Sequence, residues 1–99
     1  MKRKPSFHFD FKQSGSTPCL TCEHVLSKER PILFVTHNRA ESWQFMCGHP
    51  DHEEHSQRTV SLKGAFEIDP GINALSEMPS GFGAKRKTAK GQWEPFLQN

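Results

Sequence analysis

Three cysteines and a nearby cluster of histidines constrain this chain more than any other feature of its sequence. Cys19 and Cys22 form a Cys-x2-Cys pair, and Cys47 follows after 24 intervening residues. A two-residue gap at a tight turn lets two thiolates bind one ion, and backbone N–H groups of the turn donate hydrogen bonds to the sulfurs. The segment between Cys22 and Cys47 has the pattern of an out-and-back hairpin, which would return Cys47 to the first pair. The spacing therefore predicts three thiolates at one site.

A fourth ligand is predicted in the stretch CGHPDHEEH, which begins at Cys47 and contains three histidines. We favour His52, because a glycine and a proline in the intervening residues can turn the chain back. His49 is the alternative, although a single intervening residue leaves little room, and His24 and His55 lie further away. Three thiolates and one imidazole suit a tetrahedral structural Zn²⁺. The predicted zinc site therefore consists of Cys19, Cys22, Cys47 and His52.

A structural metal would compensate for a small apolar core. The chain has 99 residues, enough for one domain, and only 33% of them are hydrophobic. Short chains bury a smaller share of their surface than long ones. Zinc-finger peptides gain roughly 10–16 kcal/mol on binding zinc, which is comparable with the roughly 5–15 kcal/mol stability of a whole domain. One zinc site could therefore supply the stability that the small apolar core lacks.

The sequence also indicates the cellular compartment and the classes of partner to expect. No stretch approaches the roughly 18 apolar residues of a membrane span, and no apolar run follows the basic N-terminus, so we expect neither a membrane anchor nor export. The odd cysteine count favours reduced thiols in the cytoplasm. A net charge of +2 is too balanced to indicate nucleic acid. Basic residues cluster at Lys2–Lys4 and Lys85–Lys90, which we interpret as solubilising segments, with a phosphate-contacting surface as the alternative.

Apolar periodicity predicts strands in the first half of the chain. Residues 1–18 are interpreted as a basic N-terminal arm, in which alternating phenylalanines indicate a loosely attached strand. Residues 19–99 are interpreted as a single domain. Within it, Ile32–Thr36 and Trp43–Cys47 are expected to form a β-hairpin, and Arg58–Leu62 is a third strand.

Two short helices and a final hairpin are predicted in the second half. Apolar residues recur at helical spacing before and after Asp69–Pro70, a pair that suits a helix cap and a first helical position. The second helix is expected to stop at Pro79. The segments GFGAKRK and QWEPF then form the last hairpin. The predicted fold is a small α+β domain, an antiparallel sheet with one or two short helices, held by a structural zinc site.

Catalysis by the metal is an alternative that the sequence disfavours. A hydrolytic zinc needs an open coordination position and a general base, and Glu53 and Glu54 flank His52. However, HEEH is one residue short of the metalloprotease motif, and no His-x-Glu precedes the Cys-x2-Cys pair as it would in deaminases. We therefore expect no enzymatic activity. A redox pair would need a βαβ context that is missing, which leaves buried structural thiols beside surface histidines as the remaining alternative.

Several segments together resemble a known family. The order RPILFVTH, WQFMCG and FEIDPGINALSEMPSGFGAKRK places the shared features on Arg30–Val35, Trp43–Gly48, Asp69–Pro70 and Pro79–Arg86. Residues 19–99 thereby resemble small bacterial proteins of unknown function that are grouped with immunity proteins of polymorphic toxin systems. The resemblance implies a compact α+β domain with a partner-binding role and no catalytic residues. Because the common form of the family lacks the cysteines, this chain looks like a metal-binding branch.

The sequence therefore favours a cytoplasmic, zinc-stabilised α+β domain that binds another protein, for instance as a toxin-neutralising immunity protein. Its partner surface is expected on the exposed loops HNRAES and HPDHEEH. A nucleic-acid-binding zinc domain and a metal-dependent hydrolase are the two alternatives.

Overall fold

One mixed β-sheet of six strands organises the computed structural model, which describes residues 11–39, 42–48 and 57–98. The strands are β1 Pro18–Cys22, β2 Phe34–His37, β3 Trp43–Met46, β4 Gln57–Ser61, β5 Phe82–Lys85 and β6 Glu94–Leu97. They lie side by side in the order β4-β1-β3-β2-β5-β6. Helix α1 covers Glu23–Leu26, helix α2 covers Leu62–Ile68, and a 3₁₀-helix covers Pro70–Leu75. The chain is thus of the α+β class, as predicted.

Both predicted hairpins are present. Strands β2 and β3 pair antiparallel, with Val35 opposite Phe45. Strands β5 and β6 also pair antiparallel, with Gly83 opposite Phe96. The β-branched and aromatic residues of β2 and β3 suit a pleated surface packed on one side, which explains why the sequence pattern identified the first hairpin.

The prediction of a purely antiparallel sheet is wrong, because β1 was not recognised as a strand. The Cys-x2-Cys spacing predicts a tight turn, but the segment Pro18–Cys22 is extended and pairs antiparallel with β4 and parallel with β3. Helix α1 and strand β2 form the connection between β1 and β3, and such a crossover is what parallel neighbours require. The hydroxyl of Thr21 donates to the Phe45 carbonyl at 2.5 Å across this pair.

The core lies between one face of the sheet and the helices. Trp43, Phe45 and Val35 are at most 1% exposed on the sheet side. Helix α2 and the 3₁₀-helix cover them with their own apolar residues: Leu62, Ala65, Phe66, Ile72 and Leu75.

Side-chain caps set the starts of both helices. The Ser61 hydroxyl accepts the N–H of Gly64 at 2.9 Å at the start of α2. A carboxylate oxygen of Asp69 accepts the N–H of Gly71 at 2.9 Å, with Pro70 at the first position of the 3₁₀-helix. The predicted division at Asp69–Pro70 is therefore confirmed, with the second helix shorter than expected.

The described end of the N-terminal segment packs on the core. Phe11 is 6% exposed and meets the ring of Trp43 edge-on, with 5.1 Å between ring centroids. The carbonyls of Gly15 and Thr17 accept backbone N–H groups at the start of α2. The strand predicted around Phe7 and Phe9 lies outside the described residues.

The other face of the sheet carries an aromatic pair. Phe34 and Phe96 stack with 5.6 Å between ring centroids. The Phe96 ring lies over Gly83, so closely that a Cβ at that position would come within 2.4 Å of the ring. Strand β6 is the last strand of the sheet and contains Pro95. Within the described ranges, no helix is long and apolar enough to cross a membrane.

Candidate metal centre

The parallel pairing of β1 and β3 brings two cysteines together. Thr21 is in register with Phe45, so the carboxyl ends of the two strands meet at one edge of the sheet. Cys22 is the last residue of β1, and Cys47 follows the last residue of β3. Helix α1 starts directly after Cys22 and carries His24 in its first turn. The topology therefore converges two thiols and an imidazole.

These three side chains form a compact and buried cluster. One ligand atom from each of Cys22, His24 and Cys47 lies within 4.8 Å of the other two. Both cysteines are 0% exposed. His24 is half-buried, and its Nδ1 atom is removed from solvent. Thiolate sulfur and imidazole nitrogen are the ligands that Zn²⁺ prefers in proteins.

The surroundings of the sulfurs combine burial with hydrogen-bond donors. Burial raises the pKa of the Cys22 thiol, the nearby backbone N–H groups of Val25 and Cys47 oppose that rise, and the Cys47 thiol adds to it. The guanidinium of Arg30 donates to the Cys47 sulfur at 3.7 Å. Such donors stabilise thiolates, as they do around metal-bound cysteines.

The structure does not bring Cys19 to this cluster. Cys19 lies three positions before Cys22 on a strand, where side chains alternate, so the two thiols face opposite sides of the sheet. Its sulfur donates to the Thr17 carbonyl at 3.6 Å. Burial raises the pKa of the Cys19 thiol to about 11. Cys19 therefore behaves as a core residue on the strand that replaced the expected turn.

The remaining predicted residues lie outside the described part of the chain. These are His52, its alternative His49, His55, and the acidic residues Glu53 and Glu54. Of the two described histidines, His37 is a core residue: its Nδ1–H donates to the Met78 carbonyl at 2.8 Å, and its ring stacks on Trp43 at 4.0 Å.

His24 is the ligand candidate that sequence reasoning set aside. His24 lies far from Cys47 along the chain, but the hairpin between them brings the two residues together. A usable signal was present in TCEHV, because a cysteine at the helix start and a histidine two residues later both lie in the first turn. A strand preceding that turn would have supported Cys22 and His24 as a pair.

The basic segment Lys85–Lys90 divides into buried and exposed residues. Arg86 is 7% exposed; its guanidinium donates to the Ile32 carbonyl at 2.8 and 3.0 Å and pairs with the Asp69 carboxylate. Lys85, Lys87 and Lys90 are exposed. Arg86 therefore serves the fold and is not available to contact phosphates.

The candidate centre consists of the thiols of Cys22 and Cys47 and the imidazole of His24. Those atoms converge from β1, α1 and the end of β3. Comparison with protein-family models, with curated proteins and with solved structures finds no match to this chain.

Proposed function

We propose that this chain is a zinc-binding domain in which the metal is structural and which acts by binding another protein. The observation that carries the metal site is the convergence of Cys22, His24 and Cys47 within 4.8 Å, with both thiols fully buried. Zinc held there fastens the end of β3 to the junction of β1 and α1. The metal thus secures the crossover that makes β1 and β3 parallel.

The ligand spacing fits zinc after a small contraction. With Zn–S near 2.3 Å and Zn–N near 2.0–2.1 Å, tetrahedral ligand atoms lie about 3.5–3.8 Å apart. Atoms within 4.8 Å of one another therefore need to move by about 1 Å or less. We keep His52 as the proposed fourth ligand and His49 as its alternative. Four protein ligands would close the site, and closed sites do not activate water, which supports a non-enzymatic role.

A protein-binding role is supported by the sequence resemblance to immunity proteins of toxin systems. A cytoplasmic location accords with the three free cysteines among the described residues. In this proposal the chain neutralises a toxin by covering part of its surface. The metal keeps the small domain folded while it does so.

Metal analysis of substituted proteins tests the zinc site. The chain is purified without chelator, and zinc is measured by mass spectrometry in the wild type and in Cys22→Ser, His24→Ala and Cys47→Ser. We expect about one zinc per wild-type chain and a large loss in each variant, since structural zinc survives purification. Cys19→Ser is the matched control, because it removes a buried thiol outside the cluster. Less than about 0.2 zinc per wild-type chain would refute the site.

Zinc content identifies the fourth ligand and cobalt absorption counts the thiolates, and neither experiment requires a stability measurement. His49→Ala, His52→Ala and His55→Ala are compared for zinc content, and we expect His52→Ala alone to lose the metal. Co²⁺ substitution then reports the number of thiolates through its sulfur-to-metal absorption. Two thiolates are expected; a loss of cobalt-thiolate absorption in Cys19→Ser would instead support the three-thiolate site of the sequence analysis.

Growth rescue tests the partner-binding role. Products of the genes adjacent to that of this chain are expressed in a bacterial host, alone and together with the chain. A toxic product whose effect disappears on co-expression supports an immunity role. Adjacent products that are all harmless, or toxicity that persists, would contradict it. Binding of the purified chain to DNA or RNA at low salt, weakening steeply as salt rises, would favour the nucleic-acid alternative.

A further inference from the structure

An apolar groove lies near the β5–β6 end of the sheet, whereas the metal centre lies at β1 and β3. It has a volume of about 810 Å³ and runs between the 3₁₀-helix with its following turn and the loop that joins β5 to β6. Leu75 and Met78 form one wall, Phe82 contributes from β5, and Trp93 forms the other wall. Cavities of this size and lining are typical of sites that take a ligand or a peptide side chain.

One hydrogen bond and one cation–π contact hold the Trp93 wall in place. The indole N–H of Trp93 donates to the Gly71 carbonyl at 3.1 Å, which ties the loop to the 3₁₀-helix. Arg86 lies over the Trp93 ring at 4.1 Å and is itself anchored to Asp69 and to the Ile32 carbonyl. A groove that is already formed costs little conformational entropy when a partner enters it.

Charge around the groove is unevenly distributed. Residues 85–92 contain four basic residues and no acidic residue. Arg86 is neutralised by Asp69, and Lys85 lies opposite Glu94 in the β5–β6 register. Lys87 and Lys90 have no carboxylate partner in the part of the chain that the structure describes, and Lys90 lines the groove. The loop end of the groove is therefore positive, whereas Glu77 supplies negative charge on the facing wall.

We propose that this groove binds a segment of the partner protein in which large apolar side chains adjoin acidic residues. The apolar side chains enter between Trp93 and Met78, and the acidic residues meet Lys90, which lines the groove, with Lys87 in the same loop beyond the lining. Glu77 repels acidic residues from the facing wall, so those residues are expected on the Lys90 side of the groove. The inference rests on the proposed protein-binding role and names the chemistry of the partner.

A defined peptide and two indole signals provide the test. The probe is a blocked peptide, Ser-Leu-Phe-Leu-Asp-Glu, titrated into the ¹⁵N-labelled full chain while the indole N–H signals are followed by NMR. The chain has two tryptophans: Trp93 lines the groove, and Trp43 is 1% exposed in the core. We expect the Trp93 signal to move and the Trp43 signal to stay, so Trp43 is a control within the same molecule.

Matched peptides and variants test the charge and apolar components separately. A charge-reversed peptide, Ser-Leu-Phe-Leu-Lys-Arg, and an apolar-depleted one, Ser-Gly-Ser-Gly-Asp-Glu, should each bind about tenfold more weakly. Exchanging Lys87 and Lys90 together for Glu should weaken binding of the acidic peptide about tenfold, and Glu77→Gln should strengthen it about two- to threefold. Lys63→Glu, an exposed charge reversal outside the groove, is the control and should change nothing.

Three results would overturn the proposal. They are an unmoved Trp93 signal at about 1 mM peptide, equal binding of the charge-reversed peptide, and a Trp93 shift that grows with protein concentration alone and so indicates a second copy in the groove. Zinc content and growth rescue are measured separately on the same protein. A failure of the peptide inference leaves both unchanged, whereas a failure of the proposed function appears in those two measurements.

Discussion

Replacing Arg86 by methionine should be among the most destabilising single substitutions outside the apolar core. Methionine keeps much of the side-chain length and apolar stem but removes every donor. The change deletes two hydrogen bonds to the Ile32 carbonyl, the ion pair with Asp69, and the contact with the Trp93 ring. The Arg86 side chain is 3% exposed, so the space around the lost guanidinium is largely closed to water.

The free energy of unfolding should fall by about 4 kcal/mol. Removing one partner of a buried ion pair costs roughly 3–5 kcal/mol. The Asp69 side chain is 19% exposed, so water recovers part of its solvation and we take about 3 kcal/mol for the isolated carboxylate. The Ile32 carbonyl loses both side-chain donors and adds about 1 kcal/mol.

Urea denaturation followed by circular dichroism measures this loss. Lys85→Met, an exposed neighbour, is the control and should change stability by about 0.5 kcal/mol or less. In an Asp69→Asn background, which keeps an oxygen for the Gly71 N–H, Arg86→Met should cost about 2 kcal/mol less than in the wild type. A cost below about 1 kcal/mol, or an equal cost in both backgrounds, would refute the reasoning.

Three further outcomes are expected. Gly83→Ala should lower the free energy of unfolding by about 1–3 kcal/mol in urea titrations. The new Cβ would lie 2.4 Å from the Phe96 ring and 2.9 Å from a backbone carbonyl. An unchanged midpoint would show that the Phe96 ring moves aside without a cost in stability. Burial raises the pKa of the Cys19 thiol from 9.0 to about 11, so its contribution to stability is intact below pH 9 and declines as the pH approaches 11, since the unfolded chain loses this proton first. Cys19→Ala should flatten that decline in unfolding free energies measured against pH, and an identical decline would exclude Cys19 as its source. EDTA should lower the thermal midpoint of the wild type, with recovery on adding Zn²⁺ but not Mg²⁺, which prefers oxygen ligands; recovery with Mg²⁺ would contradict a thiolate site.

The first hairpin and the helix division were predictable because their signals are local. Strands β2 and β3 carry β-branched and aromatic residues on both sides of a turn, and Asp69–Pro70 provides a cap and a first helical residue in adjacent positions. Strand β1 was missed because PCLTC contains too few apolar residues to show alternation. Its extended form depends on pairing with β3 and β4, which are distant in the sequence.

The candidate site was predictable only in part for the same reason. Cys22 and Cys47 were correctly expected to meet, because the hairpin between them was visible. The Cys-x2-Cys spacing suggested that Cys19 would join them, but on a strand the two-residue gap separates the thiols onto opposite faces. His24 could be recognised only once β1 was seen to lead directly into α1.

Strand β6 has a consequence for how this protein can meet other chains. The N–H of Gln98 donates inward to the Gly81 carbonyl, and N–H groups alternate along a strand, so the ring of Pro95 replaces an N–H on the outer side of β6. Proline there interrupts the row of donors that an added strand would need. This edge of the sheet is thereby a poorer template for β-strand addition and edge-to-edge aggregation, which favours partners that bind this end of the molecule through side chains.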